Sequence, residues 1–207
     1  MKAGAPGARG RFVVLDGVDG CGKSTQAERL VRALAREREV LHLREPGGTA
    51  AGERIRALLL DPEPALAPAA QTLLFAAARR QMLEEQVAPA LAAGRDVVCE
   101  RFHPSTFAYQ GVALGVGEEL VLDLLLRWAG TPRPDLVILL ELDPDLAARR
   151  RGHGDRFESR APEFHRAVAE GYRRYAARVP GVVTVDASGE VEAVAERVLG
   201  EVRRASR

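Results

Sequence analysis

The chain contains no asparagine, only two cysteines, and only two lysines among its thirty basic residues. Each shortage excludes something. Without asparagine there is no Asn-Lys-x-Asp guanine-reading signature, which removes most GTPases. Cys21 and Cys99 are too few for a disulfide framework and fit a reducing compartment, so the expected location is the cytoplasm. No apolar run approaches the roughly 20 residues of a bilayer span. Residues 1–10, MKAGAPGARG, lack the apolar centre of a signal peptide and read as a loose tail. A net charge of +1, with both signs interleaved, gives no global bias toward nucleic acid or membrane. Scarce asparagine and methionine with abundant arginine fit a thermophile and a high-GC genome equally.

At 207 residues the chain suits one α/β domain, 11–207, rather than two. Apolar, β-branched strand candidates recur at 12–15, 40–43, 97–99, 136–142 and 182–185. Helical spacing fills the intervals at 25–39, 52–60, 67–93, 118–129, 145–151, 162–178 and 191–203, with Pro89 expected to kink or break the third. Strands alternating with helices imply a parallel sheet covered on both faces. Such sheets bind ligands beyond the carboxyl ends of their strands.

The first of those ends carries the strongest signal. Gly17-Val18-Asp19-Gly20-Cys21-Gly22-Lys23-Ser24 fits G-x-x-x-x-G-K-[ST] between a strand and a helix that opens near Thr25. In that setting backbone N–H groups and a helix N-terminus surround a phosphate. Lys23 is then placed for the β- and γ-phosphates, and the Ser24 hydroxyl for Mg²⁺. The competing reading is a chance glycine turn before a helix. Scarcity sharpens the choice, since a chain built on arginine keeps Lys23 where a compact point charge suits a triphosphate. A nucleoside triphosphate is the expected ligand.

Other strand ends carry arginine: Arg44-Glu-Pro-Gly-Gly-Thr49, Glu100-Arg101-Phe102 with Ser105 to Gly111, and Arg149 to Glu158. Several guanidiniums suit two phosphorylated ligands face to face, whose negative charge must be offset. The segments GVDGCGKSTQ, REPGGT, LLFAAARRQ, ERFHPSTFAYQG and RRRGHGDRFE, in this order, resemble the thymidylate kinase family within the nucleoside monophosphate kinases.

That resemblance implies a three-layer P-loop kinase fold with strand order 2-3-1-4-5, and transfer of phosphate from MgATP to dTMP. It assigns the acceptor phosphate to Arg44 and Arg101, base stacking to Phe75, and the pyrimidine carbonyl to Arg79. Residues four apart share a helix face, so Phe75 and Arg79 can address one base; ordinary core for the ring and surface for the charge is the plain alternative. Tyr109 falls beside the sugar 2′ carbon, Asp19 by the sugar 3′ hydroxyl, and Ser105, Thr106 and Gln110 near the base. Arg149, Arg151 and Arg156 match lid arginines within about 149–160, in the bacterial manner, because Gly20 offers no side chain; a solvated basic loop is the alternative. Asp186, Ala187 and Ser188 match a loop bordering adenine. The family usually has Glu at position 16 and Asp at 100, so Asp16 and Glu100 exchange lengths, by compensation or drift, and either can serve the metal. A homodimer is implied as well. The rivals are a related monophosphate or nucleoside kinase, and a P-loop module that uses ATP as a switch.

Overall fold

The structure, a computed structural model, describes residues 9–150, 156, 157 and 159–205. Five parallel strands, β1 (Phe12–Gly17), β2 (Val40–Arg44), β3 (Asp96–Glu100), β4 (Leu136–Glu141) and β5 (Val182–Asp186), lie in the order β2-β3-β1-β4-β5. β1 and β3 are buried along their whole length, as continuous apolar runs at a sheet centre should be. Alternate residues of β1 feed opposite cores. Val13 and Leu15 join Leu30, Leu34, Val194 and Val198, from α1 (Lys23–Leu34) and α9 (Val191–Ala205). Phe12 and Val14 meet Met82, Leu83, Val87 and Leu91 on the other face. Leu15 sits opposite Glu100 across the β1–β3 pair, so the ends carrying Asp16 and Glu100 adjoin as expected. Arg9 and Gly10, counted with the tail, are tied to Asp135 and to the Leu91 carbonyl.

Three elements differ from the sequence pattern. α1 ends at Leu34, five residues early, because Arg36-Glu37-Arg38-Glu39 offers no apolar side chain to bury. The long third pattern is α3 (Pro68–Met82), a π-helical stretch at Leu83–Val87, and α4 (Ala88–Ala92). The Ala88 N–H reaches Leu83 O, so the wider turn absorbs Pro89 without a break. The segment after β3, read only as a motif, is helical: α5 (His103–Thr106) runs into a π-helical stretch at Phe107–Ala113. Pro104 in its first turn was the available signal.

That stretch is buried from Phe107 to Gly111 under α8 (Pro162–Arg178), which approaches closely enough that a Cβ on Gly171 would lie 2.7 Å from Ala108 Cα. The remaining helices are α2 (Ala50–Leu60), capped by the Thr49 hydroxyl, α6 (Glu118–Trp128) and α7 (Pro144–Arg150). No helix among the described residues is long and apolar enough to cross a membrane.

His103 stacks on Phe102 and donates from Nε2 to the Ala129 carbonyl at 2.7 Å. Burial, with repulsion from Arg79, pushes its pKa down from 6.5 to about 3, although the bond to Ala129 pulls the other way. A depressed folded pKa stabilises fully above the unfolded value, and that stability is lost as pH falls toward the folded one. His103→Gln keeps an N–H donor and does not titrate. Urea unfolding of the wild type should therefore weaken more steeply than that of the variant between about pH 6.5 and 3. Parallel slopes would show that His103 is not an acid-labile point.

Candidate functional site

A cleft of about 660 Å³ opens beyond the carboxyl ends of β1, β2 and β3, with the loop after β5 at its far edge. Its floor is the glycine loop. Asp19 to Gln26 line it, including Gly20, Cys21, Gly22 and Thr25, whereas Gly17 and Val18 lie behind with their carbonyls accepting from Lys23 Nζ, both at 2.8 Å. Gly20 has φ +87°, and a Cβ there would fall 2.3 Å from the Ala147 carbonyl of α7. No side chain fits at that point, so cationic help must come from elsewhere. Burial pushes the Cys21 thiol up despite Lys23 nearby, which keeps it a neutral filler.

Asp16 and Glu100, equivalent in the sequence, part company here. Asp16 Oδ1 accepts from the Gly17 N–H (2.8 Å), the Ser105 hydroxyl (2.7 Å) and the Tyr172 hydroxyl (2.9 Å). Its Oδ2 accepts from the N–H groups of Phe102 and Ser105 at 2.9 and 3.0 Å. Asp16, expected with Glu100 among the metal-serving carboxylates, is fully buried, does not line the cleft and clamps the backbone around it. Glu100 does line it, and its Oε2 accepts from Ser24 Oγ at 2.6 Å. His42 Nε2 meets Glu100 Oε1 at 2.9 Å. Neither Tyr172 nor His42 was singled out from sequence, because each lies outside the motifs and meets its carboxylate only through the fold.

The part of the cleft around Arg101 is built from charge pairs. Arg101 is the one non-glycine residue among those described with positive φ, +67°. Its guanidinium pairs with Asp19, reaches Ser105 Oγ at 3.4 Å, and lies 6.0 Å from the centre of the Tyr109 ring. The Tyr109 hydroxyl donates to Asp19 Oδ2 at 2.6 Å. Burial by itself would raise the Asp19 carboxyl; Arg101, Lys23 and the Tyr109 bond outweigh it and hold Asp19 well below the usual carboxylate range. Arg44 is exposed on the cleft rim.

Phe75 and Arg79 both face the cleft. Arg79 is only 2% exposed, and its Nε and Nη2 are held by Glu45 and Thr106. Burial pushes the Glu45 carboxyl up to about 7 against the pull of Arg79. Two buried nitrogens, Arg79 Nη1 and Gln110 Nε2, have no partner among the described residues. Phe157, missed in the sequence, closes this corner with its ring 6.1 Å from Phe75 and 5.8 Å from Tyr109.

The arginines of the expected lid do not act alike. Arg149 is exposed and off the cleft, while its neighbour Arg150 lines it. Arg151 lies outside the described residues. Arg156 turns away from the glycine loop: its Nη2 donates to the carbonyls of Asp61 and, at 2.7 Å, Pro64. In this state Arg156, expected among the catalytic arginines, docks on the loop after α2. α2 has no basic residue in its last turn, and Arg156 supplies a cation to the carbonyl at its end. At the far edge Ala187 lines the cleft with Gly189 and Val191. Asp186 and Ser188 do not; the Ser188 N–H is taken by Asp186 Oδ1 at 2.8 Å.

One anion-cradling loop and one pocket of buried, paired cations thus share a single cleft, which suits transfer of phosphate between two nucleotides. A family model described as thymidylate kinase matches residues 15–198. The thymidylate kinase of Chlamydia trachomatis serovar D is 40% identical over 199 residues, covering 93% of this chain and 98% of that protein. That of Alkalilimnicola ehrlichii is 44% identical over 193 residues, 90% of this chain and 89% of its own. That of Caldanaerobacter subterraneus is 39% identical, covering 94% and 95% respectively. A match of this extent, on a fold and cleft that carry the same motifs, makes the chain a member of the thymidylate kinase family, and with it an ATP-dependent nucleoside monophosphate kinase.

Proposed function

We propose that the chain, a single kinase domain over 11–207 with a lid near 149–160, phosphorylates dTMP to dTDP with MgATP, a step toward dTTP. The observation that carries this reading is Arg79 Nη1, a buried donor with no partner among the described residues, in the cleft that Phe75 also lines. A flat ring against Phe75 with a carbonyl toward Arg79 satisfies both, and thymine offers that edge. The adenine lies against Ala187 and its neighbours. Arg44 and Arg101 take the acceptor phosphate, and Asp19 with Tyr109 borders its sugar. Ser105 and Thr106 act through Asp16 and Arg79, whose bonds they share.

Lys23 leaves its two loop carbonyls for the γ-phosphate, and Arg150, with Arg149 and Arg151, brings the lid's charge. The acceptor oxygen is anionic near neutral pH, so no side chain has to remove a proton; the residues position and neutralise. Hard oxygen donors at Ser24 and Glu100 fit Mg²⁺, which takes few protein ligands beside nucleotide phosphates. Mg²⁺ supplies neutralisation and orientation of the donor phosphates when bound.

We further propose a homodimer through α3 and α6, which pack on one another. Leu73, Leu120 and Trp128 on these helices are large apolar side chains left 60%, 64% and 69% exposed. Leu120→Glu with Trp128→Arg should shift sedimentation from dimer to monomer without unfolding. A variant that sediments as the wild type does would place any interface elsewhere.

The function is tested by coupled measurement of ADP formation with a panel of monophosphates. Turnover of dTMP should exceed that of AMP and UMP by about a hundredfold or more in kcat/KM. Comparable turnover of AMP and dTMP would contradict the pocket assignment.

A further inference from the structure

Arg79 reads a base only as well as its guanidinium is held, and the holding is done by a residue outside the base pocket's own helix. Arg79 Nε donates to both Glu45 oxygens, at 2.9 and 2.8 Å, and Nη2 lies 2.7 Å from Glu45 Oε2 and 3.0 Å from Thr106 Oγ1. The guanidinium face covers Phe102 with 4.9 Å to the ring centre. Glu45 is itself 3% exposed, pinned by its N–H to the Glu100 carbonyl at 2.9 Å, and lines the cleft beside Arg79. Of the five guanidinium donors, those on Nε and Nη2 face acceptors already supplied. The two on Nη1 have none among the described residues.

An arginine free to rotate could offer any edge to a ligand, or retreat and leave room for an amino group. This one cannot, because rotation would break the pair with Glu45 and strand two opposite charges in a buried place. A ligand atom that meets Nη1 must therefore be an acceptor. A 4-oxo pyrimidine complies, whereas a 4-amino pyrimidine sets donor against donor and leaves both unpaired. We propose that Glu45 is a positioning residue which sets acceptor-base selectivity by holding Arg79 so that only Nη1 is left for the base. This rests on the dTMP kinase reading and adds to it the origin of the choice among pyrimidines.

The test compares dUMP and dCMP, which differ at the 4-position of the base, alongside dTMP, in the wild type, Glu45→Gln, Arg79→Met and the double variant. Glu45→Gln keeps the shape but turns an amide NH₂ on the guanidinium. It should raise the KM for dTMP about tenfold and lower the dUMP/dCMP ratio of kcat/KM about tenfold, with the KM for ATP within about twofold. In the double variant, acceptor KM and ratio should match those of Arg79→Met alone, since Glu45 acts through Arg79. Multiplying losses, or a preserved ratio with both acceptors slowed equally, would overturn the proposal and leave Glu45 as mere packing. If Glu45→Gln does not fold, Glu45→Asp keeps the charge but retracts it by one methylene, and its ratio must fall too; an unchanged ratio overturns the proposal. Absence of any dTMP turnover by the wild type would instead overturn the function itself. A wild type that prefers 4-oxo acceptors beside a Glu45→Gln whose dUMP/dCMP ratio is unchanged would remove only the positioning role.

Discussion

Everything at the cleft is hung on one buried carboxylate. Asp16, at the end of the central strand, accepts five hydrogen bonds: from its own loop, from the backbone after β3, from the Ser105 hydroxyl, and from Tyr172 on α8. Bonds to a charged acceptor are worth about 1.5–3 kcal/mol each, though not additively. Together they set where β1 turns into the phosphate loop and where β3 turns into α5. In the second of those turns lies Arg101, at positive φ and paired with Asp19. The phosphate loop and Arg101 are thereby fixed relative to each other by a group that does not itself line the cleft.

The remaining charges follow the same logic. Phosphoryl transfer between two nucleotides needs cations in a place poor in water, and isolated buried cations are costly. Each principal one has a carboxylate at hand: Arg101 and Lys23 share Asp19, and Arg79 has Glu45. Removing one member of such a buried pair costs about 3–5 kcal/mol, because the other is left uncompensated. The carboxylates of this cleft therefore act mainly as holders of arginine and lysine. Glu100 differs: its partners are a hydroxyl and an imidazole.

The strand order and the place of the cleft were legible because β1 and β3 are apolar throughout and Gly17 to Ser24 has fixed spacing. The joint placement of Phe75 and Arg79 in the cleft was legible, since they stand four apart on one helix. What stayed hidden depends on contacts between distant segments. Nothing in the sequence separates Asp16 from Glu100 until the backbone of Phe102 and Ser105 folds onto the first of them. Arg149, Arg150, Arg151 and Arg156 look alike in a run of charge; only the turn of α7 puts Arg150 at the cleft, and only the bare carbonyls after α2 draw Arg156 away. The helix at 103–113 was masked by polar and small residues that are buried for the site's sake.

The most direct test of this account is the Mg²⁺ dependence of activity in Asp16→Asn, taken with its melting temperature. An amide can accept through one oxygen only and sets an NH₂ against donors. The melting temperature should fall by several degrees, on the order of 2–3 kcal/mol, with the half-saturating Mg²⁺ concentration unchanged. A variant that melts as the wild type does but needs much more Mg²⁺ would contradict it, and would return Asp16 to the metal.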